Sequence, residues 1–166
     1  VNHKSVWAVI PTWNRKDDLI NCIDSLIKSD YQYLQIVVID NASTDGTVSA
    51  INNQFPAVNI IELDKNTGAA YASNRGFDLA LAKGADYIIR LDSDIVVDPR
   101  LIGELVHNIN TLPDAGILFP KILRFDNPDV IWFTGAESHP FLLVSRVNNY
   151  NVIDNQSELI KEVDYV

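Results

Sequence analysis

The chain has 166 residues, 47% of them hydrophobic and 21% charged, which suits one globular domain large enough to bury a real core. Acidic residues outnumber basic ones 22 to 13, a formal net charge of −9, and this excludes a general nucleic-acid binder. A single cysteine excludes an internal disulfide framework, and no run of about 18 apolar residues is present to span a membrane.

The first residues, Val1-Asn2-His3-Lys4, do not resemble a signal peptide. Val6 to Ile10 is a short apolar run closed by Pro11 and reads as a buried strand. Leu19, Ile20, Ile23, Leu26 and Ile27 recur at helical spacing, with Asp17 and Asp18 in the first turn, where the helix dipole favours acids. Cys22 falls on the apolar face of that helix and reads as a buried structural thiol. Leu34 to Ile39 is a second strand ending at Asp40. Asn41 to Gly46 is loop, with Thr44 as N-cap of a helix carrying Val48 and Ile51. Val58 to Leu63 is a third strand, and Asp64 to Gly68 a loop. An alanine-rich helix runs from Ala69 to Ala82, with Gly84 suited to close it.

Tyr87 to Leu91 is a fourth strand. Asp98-Pro99 opens a further helix, with Leu101, Leu105 and Ile109 on its inner face. Ala115 to Phe119 reads as a fifth strand. Beyond Pro120 the pattern loosens: Lys121–Phe125 and Val130–Phe133 fit a hairpin, and Asn148, Asn149, Asn151 and Asn155 mark a polar loop. The chain contains no methionine, and the alternation Glu162-Val163-Asp164-Tyr165-Val166 stops without a turn. A piece of a longer protein is therefore expected, with 1–166 forming one domain.

Strand and helix alternate four times, and the strands are continuous apolar runs, as when both faces are covered. This predicts an α/β, Rossmann-like sheet, mainly parallel, with helices on both faces. Ligands of such sheets bind at the carboxyl ends of the strands. Those ends carry Pro11-Thr12-Trp13-Asn14-Arg15, Asp40 to Gly46, Asn66-Thr67-Gly68 and Asp92-Ser93-Asp94.

The last of these is the most informative. Asp92 and Asp94, two positions apart at a strand end, can face one ligand. Their like charges repel, and a divalent cation removes the conflict. A hard, oxygen-rich site for Mg²⁺ or Mn²⁺ carrying a phosphate follows, although the same residues also suit an exposed acidic turn. Neither Gly-x-x-x-x-Gly-Lys nor Gly-x-Gly-x-x-Gly is present, so a glycine cradle for phosphate is not expected. Asp40 can accept from an imide N–H or a ribose hydroxyl, or simply start a turn. Trp13 can stack on a base or cover the sheet edge. Arg75 can reach a phosphate or make a surface ion pair. His3, His107 and His139 are scattered and lack metal-like spacing.

Five segments in order carry a resemblance to the family-2 glycosyltransferases of GT-A fold, rhamnosyltransferase-like bacterial enzymes among them. They are Val9 to Arg15, Val37 to Thr47, Asn66-Thr67-Gly68, Asn74-Arg75-Gly76 and Leu91 to Asp94, and the likeness is good over about residues 5 to 120. The resemblance implies an inverting enzyme that uses a UDP- or dTDP-sugar and a glycan or lipid-linked acceptor, in building polysaccharide or the cell envelope. It implies a cytoplasmic site, peripheral at the inner face of the membrane.

It further implies that Pro11, Thr12, Trp13 and Arg15 line the nucleotide pocket, with Trp13 in place of the usual tyrosine. Asp40 would bind uracil or thymine, while Ser43 and Asp45 shape the loop. Asn66 and Gly68 would let the backbone approach, and Arg75 would hold pyrophosphate or sugar. Asp92 and Ser93 would lie near ribose or sugar, with Asp94, and Asp92 beside it, on Mn²⁺ or Mg²⁺. The general base would lie beyond Val166, Asp164 and Glu162 being weak candidates. Two rivals remain: a non-catalytic module that binds nucleotide-sugar or glycan, and a nucleotidyltransferase, which would want a Gly-rich basic loop after the first strand.

Overall fold

The computed structural model describes residues 3–139, 144–155, 160 and 163. Two compact units are present, residues 1–106 and 107–166.

The first unit is a parallel sheet flanked by helices. Its elements are β1 (Val6–Thr12), α1 (Lys16–Ile27), β2 (Leu34–Asp40), α2 (Thr47–Gln54), β3 (Asn59–Glu62), α3 (Ala69–Ala82), β4 (Tyr87–Arg90) and the start of α4 (Leu101–Thr111). The strand order is β3-β2-β1-β4, and each pairing is parallel. Period-two alternation divides the sheet's side chains between two cores. Val6, Ala8, Ile10, Ile36 and Val38 pack with Leu19, Cys22, Ile23 and Leu26 of α1, Ile51 of α2 and Ile102 of α4. Trp7, Val9, Val37 and Ile39 pack on the other face with Ala72 and Ala80 of α3. Helices therefore cover both faces, as the apolar strands required.

Small residues bring α3 close to the sheet. A Cβ on Gly76 would lie 2.6 Å from Ile39 Cδ1 and closer still to Val9 Cγ1, so only glycine fits without displacement. Pro11 is tolerated in a central strand for a local reason. The Val9 carbonyl points to the β4 side, where it accepts the Leu91 N–H. Two residues on, Pro11 points to that same side beyond the end of β4, so its missing N–H breaks no ladder bond.

The structure corrects three expectations here. Thr44 does not cap α2. Gly46 holds that position in a left-handed conformation (φ 83°), and Asp45 supplies the carboxylate. The buried centre of α4 is Ile102, with half-buried Leu101 and Val106 packed beside it; Leu105 and Ile109, equally half-buried, are not part of that core. Residues four apart precess by about 40° per step around a helix, so a Leu101–Leu105–Ile109 stripe drifts off the contact face. Ala115 to Phe119 forms no strand. Gly116 weakens that short run and Pro120 ends it. The Asp98 carboxylate does accept the Arg100 N–H (2.9 Å) where α4 begins.

Among its described residues the second unit contains two short antiparallel strand pairs, β5 (Ile122–Leu123) with β6 (Ile131–Phe133) and β7 (Ala136–His139) with β8 (Val144–Val147). The first matches the hairpin read from sequence. Asn149 and Asn151 both adopt positive φ in the loop after β8. Asp164 and Glu162 lie outside the described residues.

Candidate functional site

The carboxyl ends of β3, β2, β1 and β4 form one edge of the sheet. Thr12 pairs in register with Asp40, and Asp40 with Glu62, so three polar residues stand in a row across adjacent strands. Asp92 follows β4 on the other side of β1. Thr12 and Asp40 are buried, 4% and 2% exposed. Asp40 Oδ2 accepts the Ser43 N–H at 2.9 Å, but among the described residues its Oδ1 has no partner, and neither has Thr12 Oγ1. Two unpaired buried oxygens on neighbouring strands are costly unless something else satisfies them. Asp40 also lines a cleft of about 480 Å³ together with Ser43, Thr44, Thr47, Glu62 and Leu63.

Side chains from the segment after β2 knit the surrounding loops together. Asn14 (φ 51°) donates its N–H to Ser43 Oγ, and its Oδ1 accepts the Thr44 N–H (2.7 Å). Asn41 Oδ1 accepts both the N–H and the hydroxyl of Thr67, tying the loops after β2 and β3. Asp45 serves two helices at once: Oδ2 accepts the Lys16 N–H at the start of α1, and Oδ1 the N–H and hydroxyl of Thr47 at the start of α2. Burial works against the Asp45 charge, but the bonds from Thr47 and Lys16 outweigh it and hold the carboxyl below its ordinary range. Asn66 Oδ1 accepts the Gly68 N–H, and Gly68 (φ 82°) opens α3.

The remaining expected site residues divide clearly. Pro11 is buried in β1. Trp13 is 52% exposed beside Thr12, its indole available for stacking. Arg15 is exposed and pairs with Asp18 at 3.1 Å, and Arg75 is exposed and pairs with Asp78 at 3.5 Å. Exposed pairs of this kind are worth about 0–1 kcal/mol, so either arginine can exchange its partner for an anion. Ser93 and Asp94 occupy the turn that follows Asp92.

Asp92 and Asp94 are both exposed, and Arg90 Nη2 lies 2.7 Å from Asp92 Oδ1. Among the described residues no group of three or more His, Cys, Asp or Glu side chains gathers as a closed metal cage. Two carboxylates open to solvent instead suit a cation of the Mg²⁺ type, which takes one or two carboxylates and completes its shell with water and substrate phosphate. Beneath the turn lies Cys22, fully buried, its thiol 3.8 Å from the Asp92 carbonyl oxygen. Burial pushes this thiol up to about 12, and the Asp94 and Asp92 charges add to the effect. It is structural, as its helical position implied. Glu62, the helix-capping role of Asp45 and the bridging roles of Asn14 and Asn41 escaped the sequence reading. Asn at a positive-φ site is a recognisable signal, but the long-range bonds have none.

Comparison with known proteins identifies the family and the fold. The sequence model of the family described as glycosyl transferase family 2 matches residues 7–161. Glycosyltransferase GlyG of Streptococcus pneumoniae is 30% identical over 125 residues, 74% of this chain and 40% of that protein. The putative colanic acid biosynthesis glycosyl transferase WcaA of Escherichia coli is 32% identical over 98 residues, 56% of this chain and 33% of that protein. The chain thus spans well under half the length of these relatives. Among solved structures, a mannosyltransferase from Pyrobaculum calidifontis in complex with GDP-Man and Mn²⁺ superposes with a TM-score of 0.60 at 24% identity, over 83% of this chain and 36% of that one. TarS 1–349 of S. aureus in complex with UDP-GlcNAc gives 0.58 at 18% identity, over 74% and 41%. At such identities these two show a shared fold.

Proposed function

Because the chain belongs to glycosyl transferase family 2, we propose that it is the donor-binding part of an inverting enzyme that transfers a sugar from UDP or dTDP to a hydroxyl acceptor in a surface polysaccharide. The observation that carries this reading is the pair of unpartnered buried oxygens, Thr12 Oγ1 and Asp40 Oδ1, at the carboxyl edge of the sheet. A pyrimidine imide offers one N–H, which matches the one oxygen of Asp40 that Ser43 leaves unused. A guanine edge offers two adjacent N–H donors and would ask for both carboxylate oxygens. Trp13 covers the base, and Arg15 and Arg75 meet the diphosphate or sugar, giving up their exposed carboxylates. Pro11 and Gly68 let the backbone approach, while Asn66 holds Gly68 in its left-handed turn.

Asp94, with Asp92 beside it, would hold Mn²⁺ or Mg²⁺, and Ser93 would face the ribose or sugar. When bound, the metal supplies charge neutralisation for the departing diphosphate. Arg90 neutralises part of the carboxylate pair without it. The name of WcaA, a putative colanic acid biosynthesis glycosyl transferase, supports a polysaccharide acceptor. No helix among the described residues is long and apolar enough to cross a membrane; a cytoplasmic, membrane-peripheral site is part of the proposal.

The test is calorimetric titration of UDP, dTDP and GDP, with and without Mn²⁺, on wild type and Asp94→Ala. Metal-dependent binding of UDP or dTDP that is lost in the variant supports the reading. Preference for GDP overturns the base assignment, and metal-independent binding unaffected by Asp94→Ala overturns the metal assignment. Metal-dependent hydrolysis of a UDP-sugar separates an enzyme from a simple binding module.

A further inference from the structure

We propose that Ser25 is a positioning residue for the Asp92–Asp94 turn, acting from α1 without touching substrate or metal; the proposal rests on the reading that this turn holds a divalent cation. Ser25 is buried and does two things at once. Its hydroxyl donates to the Cys22 carbonyl of its own helix at 2.7 Å, and the same oxygen accepts the Val97 N–H at 3.1 Å. The first bond fixes the hydroxyl rotor, so a lone pair is aimed at Val97. One helical turn earlier on the same face, the Cys22 thiol meets the Asp92 carbonyl. Residues three apart on a helix are neighbours, so α1 grips both ends of the segment 92–97.

Between those grips the segment has little of its own to hold it. Its one internal backbone bond runs from the Ile95 N–H to the Asp92 carbonyl at 3.4 Å. Leu91 and Val97 are buried on either side, whereas Asp92 and Asp94 are exposed. The spacing of the two carboxylates is thus set from beneath by a helix whose own N-terminus is held by Asp45. The grip continues past the turn, where the Asp30 N–H and the Ser29 hydroxyl both bond to the Pro99 carbonyl. A cation that demands near-octahedral geometry responds to such support, and loss of outer-layer hydrogen bonds commonly weakens metal binding about 10–100-fold.

The experiment measures Mn²⁺ affinity in the presence of saturating UDP, affinity for uridine, which carries no phosphate to need a metal, and the melting curve, for wild type, Ser25→Ala and Ser25→Thr. The expected result is Mn²⁺ binding weakened about 10-fold or more in Ser25→Ala, restored by Ser25→Thr, with uridine binding unchanged in both. Unchanged Mn²⁺ affinity in Ser25→Ala overturns the proposal, as does a Ser25→Thr variant as impaired as Ser25→Ala. Should Ser25→Ala fail to fold, Ser25→Cys, which keeps only a weak donor and acceptor at similar volume, replaces it: Mn²⁺ affinity below wild type is expected, and affinity equal to wild type overturns the proposal. If wild type binds UDP but no Mn²⁺, the metal reading fails and this proposal with it. If wild type binds Mn²⁺ with UDP and only the Ser25 result is negative, the metal reading stands alone.

Discussion

Gly76→Ala offers a stringent test of how α3 is seated. In an exposed helix the change would stabilise by about 0.5–1 kcal/mol, because alanine loses less backbone entropy than glycine. Here the added methyl would sit 2.6 Å from Ile39 Cδ1 and closer to Val9 Cγ1, both from side chains that are fully buried. Neither has open space to retreat into, and Val9 lies in the central strand of the sheet. Overpacking a core by one methyl costs about 1–3 kcal/mol. Set against the propensity gain, a net loss of about 1 kcal/mol is expected from the middle of these ranges, and about 2.5 kcal/mol at most, so that the central value lowers the melting temperature of a chain of this size by about 2–4 °C.

Thermal and urea unfolding of wild type, Gly76→Ala, Val9→Ala and the double variant measure it. If the contact is the cause, Val9→Ala makes room and the double variant is more stable than the sum of the single losses predicts. A Gly76→Ala protein as stable as wild type, or additive behaviour in the cycle, refutes the close-packing argument. Because Arg75 precedes Gly76, a helix pushed off the sheet should also weaken UDP binding.

The Asp45 carboxyl is held below its ordinary value, so its contribution to stability is complete above about pH 4 and is lost as pH falls through the lowered value. Asp45→Asn should therefore be less stable at neutral pH and lose less on acidification; parallel urea midpoints against pH for the two proteins would contradict this. Trp13→Ala should weaken UDP binding by about 1–3 kcal/mol, the worth of one stacked base, while the melting temperature stays within about 2 °C because the indole is half exposed. Calorimetry showing unaltered UDP affinity would remove Trp13 from the site.

The parallel sheet was legible because its strands are uninterrupted apolar runs and its helices carry clear periodicity, and α3 begins and ends where the alanine-rich stretch does. Strand ends were legible too, since Asp40, Asp92 and Asp94 mark abrupt changes from apolar to acidic. What was hidden is whatever depends on side chains meeting across the sequence. Thr44 and Asp45 are both acceptable caps by composition, and only the approach of α1 to α2 decides for Asp45, whose two oxygens can serve both. Ser25 looks like an ordinary helix residue until Val97, 72 positions on, is brought beside it. Residues 115–119 differ for another reason: the run is apolar enough for a strand, but Gly116 and Pro120 argue against a ladder.

The knitting of the loops also determines what they can no longer offer. The N–H groups of Asn14, Lys16, Ser43, Thr44, Thr47, Thr67 and Gly68 all point to side-chain oxygens of the protein itself. In folds that grip phosphate with backbone, such amides are the ligands. Here they have been consumed in fixing the shape of the edge, and the positive ends of α1 and α2 are already answered by Asp45. On the proposed reading, a diphosphate arriving at this edge would meet a pocket shaped in advance, in which these seven amides are already used. On that reading its countercharge would come in large part from the guanidinium groups and a cation carried in with the ligand, so affinity should respond to metal concentration more sharply than to any one of these seven amides.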